Sequence, residues 1–282
     1  MHLVASTDGV QIAVHELGGD ASAPPLLLSH ANGCHAHVFQ PLVDAGLAAT
    51  RRCIGLDFRG HGDSKVPEHL TYEWEGFGAD VLAVLDDIAA PPGGIVGVGH
   101  SMGGAALLMA ELARPGTFGG LYLFEPIVPP PMDVAPPPDN FMAAAAERRR
   151  EVFDSADAAV ANFASKPPLN QLRADALHAY VQGGFAVQPD GSVRLKCRGA
   201  TEAQIYRMAG GHGTFSRLAE VRCPVTIAMG HDIGFGPSAF APAAAGHLAK
   251  GRLEVFNHLG HFGPLEAPNE IARDIASAFT LT

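Results

Sequence analysis

The sequence predicts an α/β protein: a mostly parallel central sheet with helices on both faces, and a mainly helical insertion over the strand ends. Three observations predict it. Short apolar runs alternate with helical periodicity in both the first and the last part of the chain, the pattern of strands joined by crossover helices. Between Glu125 and Val221 that pattern breaks, and proline-rich and alanine-rich stretches replace it. A single serine, Ser101, sits where one apolar run meets a run of small residues, with a glycine two positions away on each side.

Val10 to Glu16 alternates apolar and polar residues, as a half-buried strand does. "PPLLLSH" and "RRCIGLDF" are apolar runs that end in polar residues, which suits buried parallel strands. "GADVLAVLDDIA" has helical periodicity. Ile95 to Val98 is short and β-branched and reads as a strand, and Gly103 to Leu112 reads as the helix after it. "GGLYLF", Gly119 to Phe124, is the next strand. "EPIVPPPMDVAPPPDN" is too rich in proline to continue a sheet. "FMAAAAERRREVF" and "DAAVANFAS" read as helices, and "AVQPDGSVRLKC" as a hairpin around Pro189 to Gly191. Strand character returns in "PVTIAMG" and "GRLEVFN", and "NEIARDIASAF" is a closing amphipathic helix. The chain therefore divides into a core, 1–125 and 221–282, and an insertion, 126–220. Ligands of such sheets bind at the carboxyl ends of the strands.

Composition narrows the function. The chain has 282 residues, 47% of them hydrophobic and 17% charged, enough for a sizeable core. A formal net charge of −10 disfavours nucleic acid and anionic membrane surfaces as partners. No apolar run approaches the roughly 20 residues of a membrane span. The first residues lack a basic segment followed by an apolar one, so a cytoplasmic location is expected. Cys34, Cys53, Cys197 and Cys223 have no metal or redox spacing and read as buried, reduced thiols.

The chemistry is centred on "IVGVGHSMGGAALL". A serine in a tight strand-to-helix turn takes strained dihedrals, and Gly99 and Gly103 leave room for it. Its hydroxyl then stands above the sheet, beside the N-terminal amides of the new helix. This G-x-S-x-G elbow resembles the nucleophile elbow of the α/β-hydrolase family. The resemblance implies a triad in the order serine, acid, histidine, and a cap at the place of the insertion. "GHFGPLEAPNEIA" is similar to the family's histidine loop and points to His261, with His258 as the local competitor. Two acids remain open. Asp232 follows the strand after the insertion, one residue short of the usual spacing from Gly230. Glu125 leaves the strand before the insertion, in a pattern similar to relatives that take the acid there. The oxyanion hole is expected from the amides of Met102 and Asn32, the latter in "LLLSHANGCHAHVFQPL", which resembles the family's loop with Ala31 in place of glycine. "DFRGHGDS", Asp57 to Ser64, resembles a further family loop and reads as structural.

An activated serine of this kind implies acyl transfer from a small-molecule ester to water, with no cofactor and no metal. Carbon–carbon bond hydrolysis, perhydrolysis, a lyase reaction and a non-catalytic ligand-binding role share the same residues and stay open, as does assembly into a homo-oligomer. His30, Cys34, His35 and His37 crowd one loop, a poor cage for zinc, whose ligands come in separated pairs; His35 and His37 are candidates for facing the substrate. His100 is expected to pack beneath the elbow. Glycine-rich "GGHGTF" reads as a loop of the insertion. Phe141, Phe153, Phe163, Tyr180, Phe185 and Tyr206 form either an apolar substrate surface or the insertion's own core.

Overall fold

Among the described residues eight strands make the central sheet: β1 (His2–Ala5), β2 (Gln11–Gly18), β3 (Pro25–Ser29), β4 (Arg52–Asp57), β5 (Ile95–His100), β6 (Phe118–Phe124), β10 (Val225–Met229) and β11 (Gly251–Val255), the numbers β7 to β9 belonging to the insertion. Their order is β1-β2-β4-β3-β5-β6-β10-β11. β1 and β2 pair antiparallel, and β2 meets β4 antiparallel; every other neighbour is parallel. The structure is a computed structural model that describes residues 1–131, 140–209 and 211–279. Part of the predicted proline-rich stretch, 132–139, and Gly210 of "GGHGTF" lie outside the described residues.

Parallel strands need crossovers, and helices supply them on both faces. One face carries α2 (Trp74–Asp87), α3 (Met102–Ala113) and α8 (Gly236–His247), packed through Val81, Val84, Leu107, Leu108 and Ala244 onto buried strand residues. The other carries α1 (Gln40–Asp44), the short α9 (Gly263–Glu266) and α10 (Pro268–Ala278), packed through Leu42, Val43, Leu265, Ile271 and Ile275. Sequence periodicity anticipates the strands β2 to β6, β10 and β11. It passes over β1, which is four residues long, and α8, where Pro237 and Pro242 interrupt the helical pattern.

Between β6 and β10 lie helices α4 (Phe141–Glu147), α5 (Ala156–Ala164), α6 (Ala174–Gly184) and α7 (Gly199–Met208), with a small antiparallel sheet. That sheet is β7 (Val152–Phe153), β9 (Val193–Leu195) and β8 (Phe185–Val187) in that order. β8 and β9 form the expected hairpin. The helix predicted over "FMAAAAERRREVF" stops at Glu147. Val152 and Phe153 pair with β9 instead, because this buries Phe153 against Phe163 and Phe185. α6 rests on Ala36–Phe39, just past the end of β3. Among the described residues no helix is long and apolar enough to cross a membrane.

Candidate active site

Ser101 stands between β5 and α3 with φ 56° and ψ −116°, a conformation that L residues rarely hold. The chain accepts it because the neighbouring glycines allow close packing. A Cβ on Gly103 would fall 2.1 Å from the Ser29 carbonyl oxygen, and one on Gly99 2.6 Å from Gly104 Cα. The Ser101 N–H donates to the Phe124 carbonyl, 2.9 Å away, which ties the elbow to the end of β6.

Glu125 is the next residue after β6. It too has a positive φ, 45°, while its N–H continues the pairing with β10 by donating to Ala228 O at 2.8 Å. This twist turns the side chain inward, where it is only 2% exposed. Oε1 accepts the Gly230 N–H at 2.9 Å, and Oε2 lies 2.6 Å from His261 Nδ1. His261 is held on both sides of its backbone. Its carbonyl accepts from His100 Nε2 at 2.8 Å, and the N–H of Gly260 donates to Glu266 at 2.9 Å. The His261 side chain is about one-third exposed, at 33%.

The other acid is elsewhere. Asp232 is exposed, and its carboxylate accepts the Gly234 N–H at 2.7 Å in a local turn. Of the two carboxylates left open by the sequence, the structure brings Glu125 to His261. His258 is also exposed and meets Glu270 at 2.9 Å.

Met102, directly after Ser101, is the buried first residue of α3, and Asn32 lies three residues past the end of β3, the strand that flanks β5 on the side away from β6. The first amides of a helix have no intrahelical partner, so that of Met102 is free by position to bind an anion. The Asn32 side chain is engaged at both ends. Nδ2 donates to the Glu202 carbonyl at 3.1 Å, and Oδ1 lies 3.2 Å from His61 Nε2. His61 Nε2 accepts the Gly33 N–H at 3.0 Å, and its Nδ1 donates to Arg59 O at 3.0 Å. His30 is held the same way, with Nε2 accepting from Phe58 N at 3.1 Å and Nδ1 donating to Ala31 O at 2.7 Å. Burial pushes His61 down to about 4 and His30 to about 3, so both are neutral.

The "DFRGHGDS" loop is braced as expected. Asp57 accepts from Ala36 N at 2.7 Å and Asp63 N at 2.8 Å, and lies 2.9 Å from His15 Nε2. Arg59 pairs with Asp80 and Asp8. His15, Asp57 and Asp63 each offer one metal-ligand atom within 4.8 Å of the others. Both Asp57 oxygens already accept backbone N–H groups, however, and Lys196 Nζ sits 2.7 Å from Asp63 Oδ1. Of the two histidines named as candidates for facing the substrate, His35 donates from Nε2 to Tyr180 O at 3.0 Å, and His37 Nε2 lies 3.1 Å from His15 Nδ1. All four cysteines are buried and free.

The insertion's aromatics serve mainly as its core. Phe153, Phe163, Phe185 and Tyr180 pack ring against ring at 5.5–6.0 Å, Tyr206 lies against Ala143, Ala146 and Ala203, and Phe141 is exposed. Sequence reasoning missed His61, although it stands within the quoted loop, and it missed Glu202 and Arg149, which no local motif marks.

A family model described as the alpha/beta hydrolase family matches residues 26–274. The chain belongs to the alpha/beta hydrolase family. Over 105 residues it is 30% identical to monoglyceride lipase of Homo sapiens, covering 36% of this chain and 35% of that protein. Over 116 residues it is 30% identical to 3-oxoadipate enol-lactonase 1 of Acinetobacter baylyi, covering 41% of each. These matches span well under half the length of either relative. Among solved structures, E-2-(acetamidomethylene)succinate hydrolase superposes with a TM-score of 0.78 at 24% identity, over 99% of this chain and 100% of that one. That likeness establishes the fold of this alpha/beta hydrolase.

Proposed function

We propose that this alpha/beta hydrolase cleaves a small or medium carboxylic ester through an acyl-enzyme, with Ser101 as nucleophile, His261 as base and Glu125 as the acid. The observation that carries the reading is the 2.6 Å contact of His261 with buried Glu125, one strand from a strained Ser101. A carboxylate on Nδ1 fixes the tautomer with Nε2 unprotonated and stabilises the imidazolium that forms. Ser101 Oγ attacks the ester carbonyl carbon as its proton passes to His261 Nε2. The amides of Met102 and Asn32 receive the developing oxyanion. Collapse expels the alcohol, which takes the proton from Nε2. Water then attacks the acyl-enzyme with His261 again as base, releasing the acid and restoring Ser101. Residues 126–220 act as a cap, and their contacts with the loop after β3 support this. The names of the lipase and lactonase relatives fit ester chemistry.

The test is labelling with a fluorophosphonate, read by intact mass and peptide mapping, beside hydrolysis of 4-nitrophenyl acetate. One adduct per chain, on Ser101, is expected. The Ser101→Ala variant takes no adduct and loses at least about 10³-fold in kcat/KM. Folded wild-type protein that stays unlabelled and inactive overturns the reading.

A further inference from the structure

The Asn32 loop is gripped from the insertion as well as from the core. From the core, His61 accepts the Gly33 N–H. From the insertion, α7 delivers the Glu202 carbonyl to Asn32 Nδ2, and α7 is itself anchored by Trp74 Nε1, which donates to Ile205 O at 3.1 Å. Gly33 has φ 76°, and a Cβ there would lie 2.8 Å from Glu202 Oε1, so the carboxylate is pressed against this turn. Glu202 is 7% exposed. A buried carboxylate needs a counter-charge, and Arg149 supplies it through an ion pair with Glu202. Arg149 is held in place by donating to the Tyr180 hydroxyl at 2.6 Å. All of these groups except Asn32, Gly33, His61 and Trp74 belong to the insertion.

A negative charge one residue from the Asn32 amide opposes any oxyanion that develops there, unless it is cancelled. An amide that is free to drift loses most of its value as an oxyanion donor, since such donors act by being aimed in advance. Both requirements are met from one side. We infer that the insertion completes the oxyanion hole: Glu202 and Asn32 position the Asn32 amide, and Arg149 cancels the carboxylate charge behind it. These are positioning residues, and the inference rests on the serine-hydrolase reading above. Seating the insertion and aiming the Asn32 donor are then a single event.

The test uses the full chain and 4-nitrophenyl acetate, with phenylboronic acid as a tetrahedral mimic of the reacting carbonyl. Asn32→Ala keeps the backbone amide and removes its tether. It lowers kcat about tenfold or more, with KM changed less than about threefold, and weakens boronate inhibition in parallel. Arg149→Met leaves the carboxylate uncancelled and has a similar effect. Adding Glu202→Gln to Arg149→Met removes the stranded charge and recovers most of the lost kcat. A structural role alone does not produce that recovery or the split between kcat and KM. Should Arg149→Met fail to fold, Asn32→Ala decides, because it leaves the ion pair intact. The inference is overturned if Asn32→Ala keeps kcat within about twofold, if the loss falls on KM alone, or if the double variant is no better than Arg149→Met. A wild-type protein that takes no fluorophosphonate overturns the hydrolase reading itself and the inference with it.

Discussion

On the β6 side of Ser101, His261 is partly exposed and its Nδ1 rests on a carboxylate; on the β3 and β4 side, His30 and His61 are buried and each is held between a backbone N–H and a backbone carbonyl. The partners explain the difference. In the proposed mechanism the carboxylate stabilises the imidazolium that forms as His261 takes the proton and returns it. An N–H aimed at Nε2 excludes a proton from that atom, and burial adds its own penalty. The same residue type thus meets a carboxylate on one side and serves as a neutral brace on the other.

The largest effect is expected where the carboxylate is removed. Glu125→Gln keeps the Gly230 contact but loses the negative charge and the tautomer control. It lowers kcat/KM by about 10³-fold, whereas Asp232→Asn stays within about twofold. Steady-state kinetics on both variants decide this, and equal losses would erase the distinction between the two strand ends. Next comes pH. Unfolded histidines bind protons near pH 6.5, whereas His30 does so at about 3 and His35 and His61 at about 4 in the fold, each pushed down by burial. Between these values the unfolded chain binds more protons, so stability rises with pH and is lost as pH falls below about 6.5. The loss is about 2 kcal/mol per histidine at pH 5. Urea unfolding from pH 7.5 to 5 measures it, and a flat profile would show that the braces accept protons after all. The smallest effect is on a single brace. His61→Ala leaves the Gly33 N–H without its acceptor, costs about 1–2 kcal/mol and lowers Tm by a few degrees. Calorimetry checks this, and an unchanged Tm would mean that the brace is idle.

The sheet was legible because β-branched and leucine-rich runs have few other places to go than a two-sided sheet. The elbow was legible because the close packing at Gly99 and Gly103 demands glycine. Which carboxylate meets His261 was not, because spacing reports position along the chain and not the direction a side chain takes. Glu125 turns inward at a positive φ, and Asp232 spends its carboxylate on its own turn. Spacing also could not sort the insertion's aromatics, since a ring facing a pocket and a ring facing another ring look alike in sequence. Glu202 and Arg149 are 53 residues apart and meet only through the packing of the insertion.

The turn after β10 has a practical consequence. His231 anchors its base through Leu259 O; beyond that Asp232 accepts the Gly234 N–H within the turn, and Ile233 and Phe235 project into solvent at 50% and 61% exposure. The proposed triad takes its acid from the neighbouring strand, so this turn between β10 and α8 carries no share of that chemistry. Its two exposed apolar side chains can therefore be exchanged for polar ones while the contacts of Glu125 with His261 and Gly230 stay as they are.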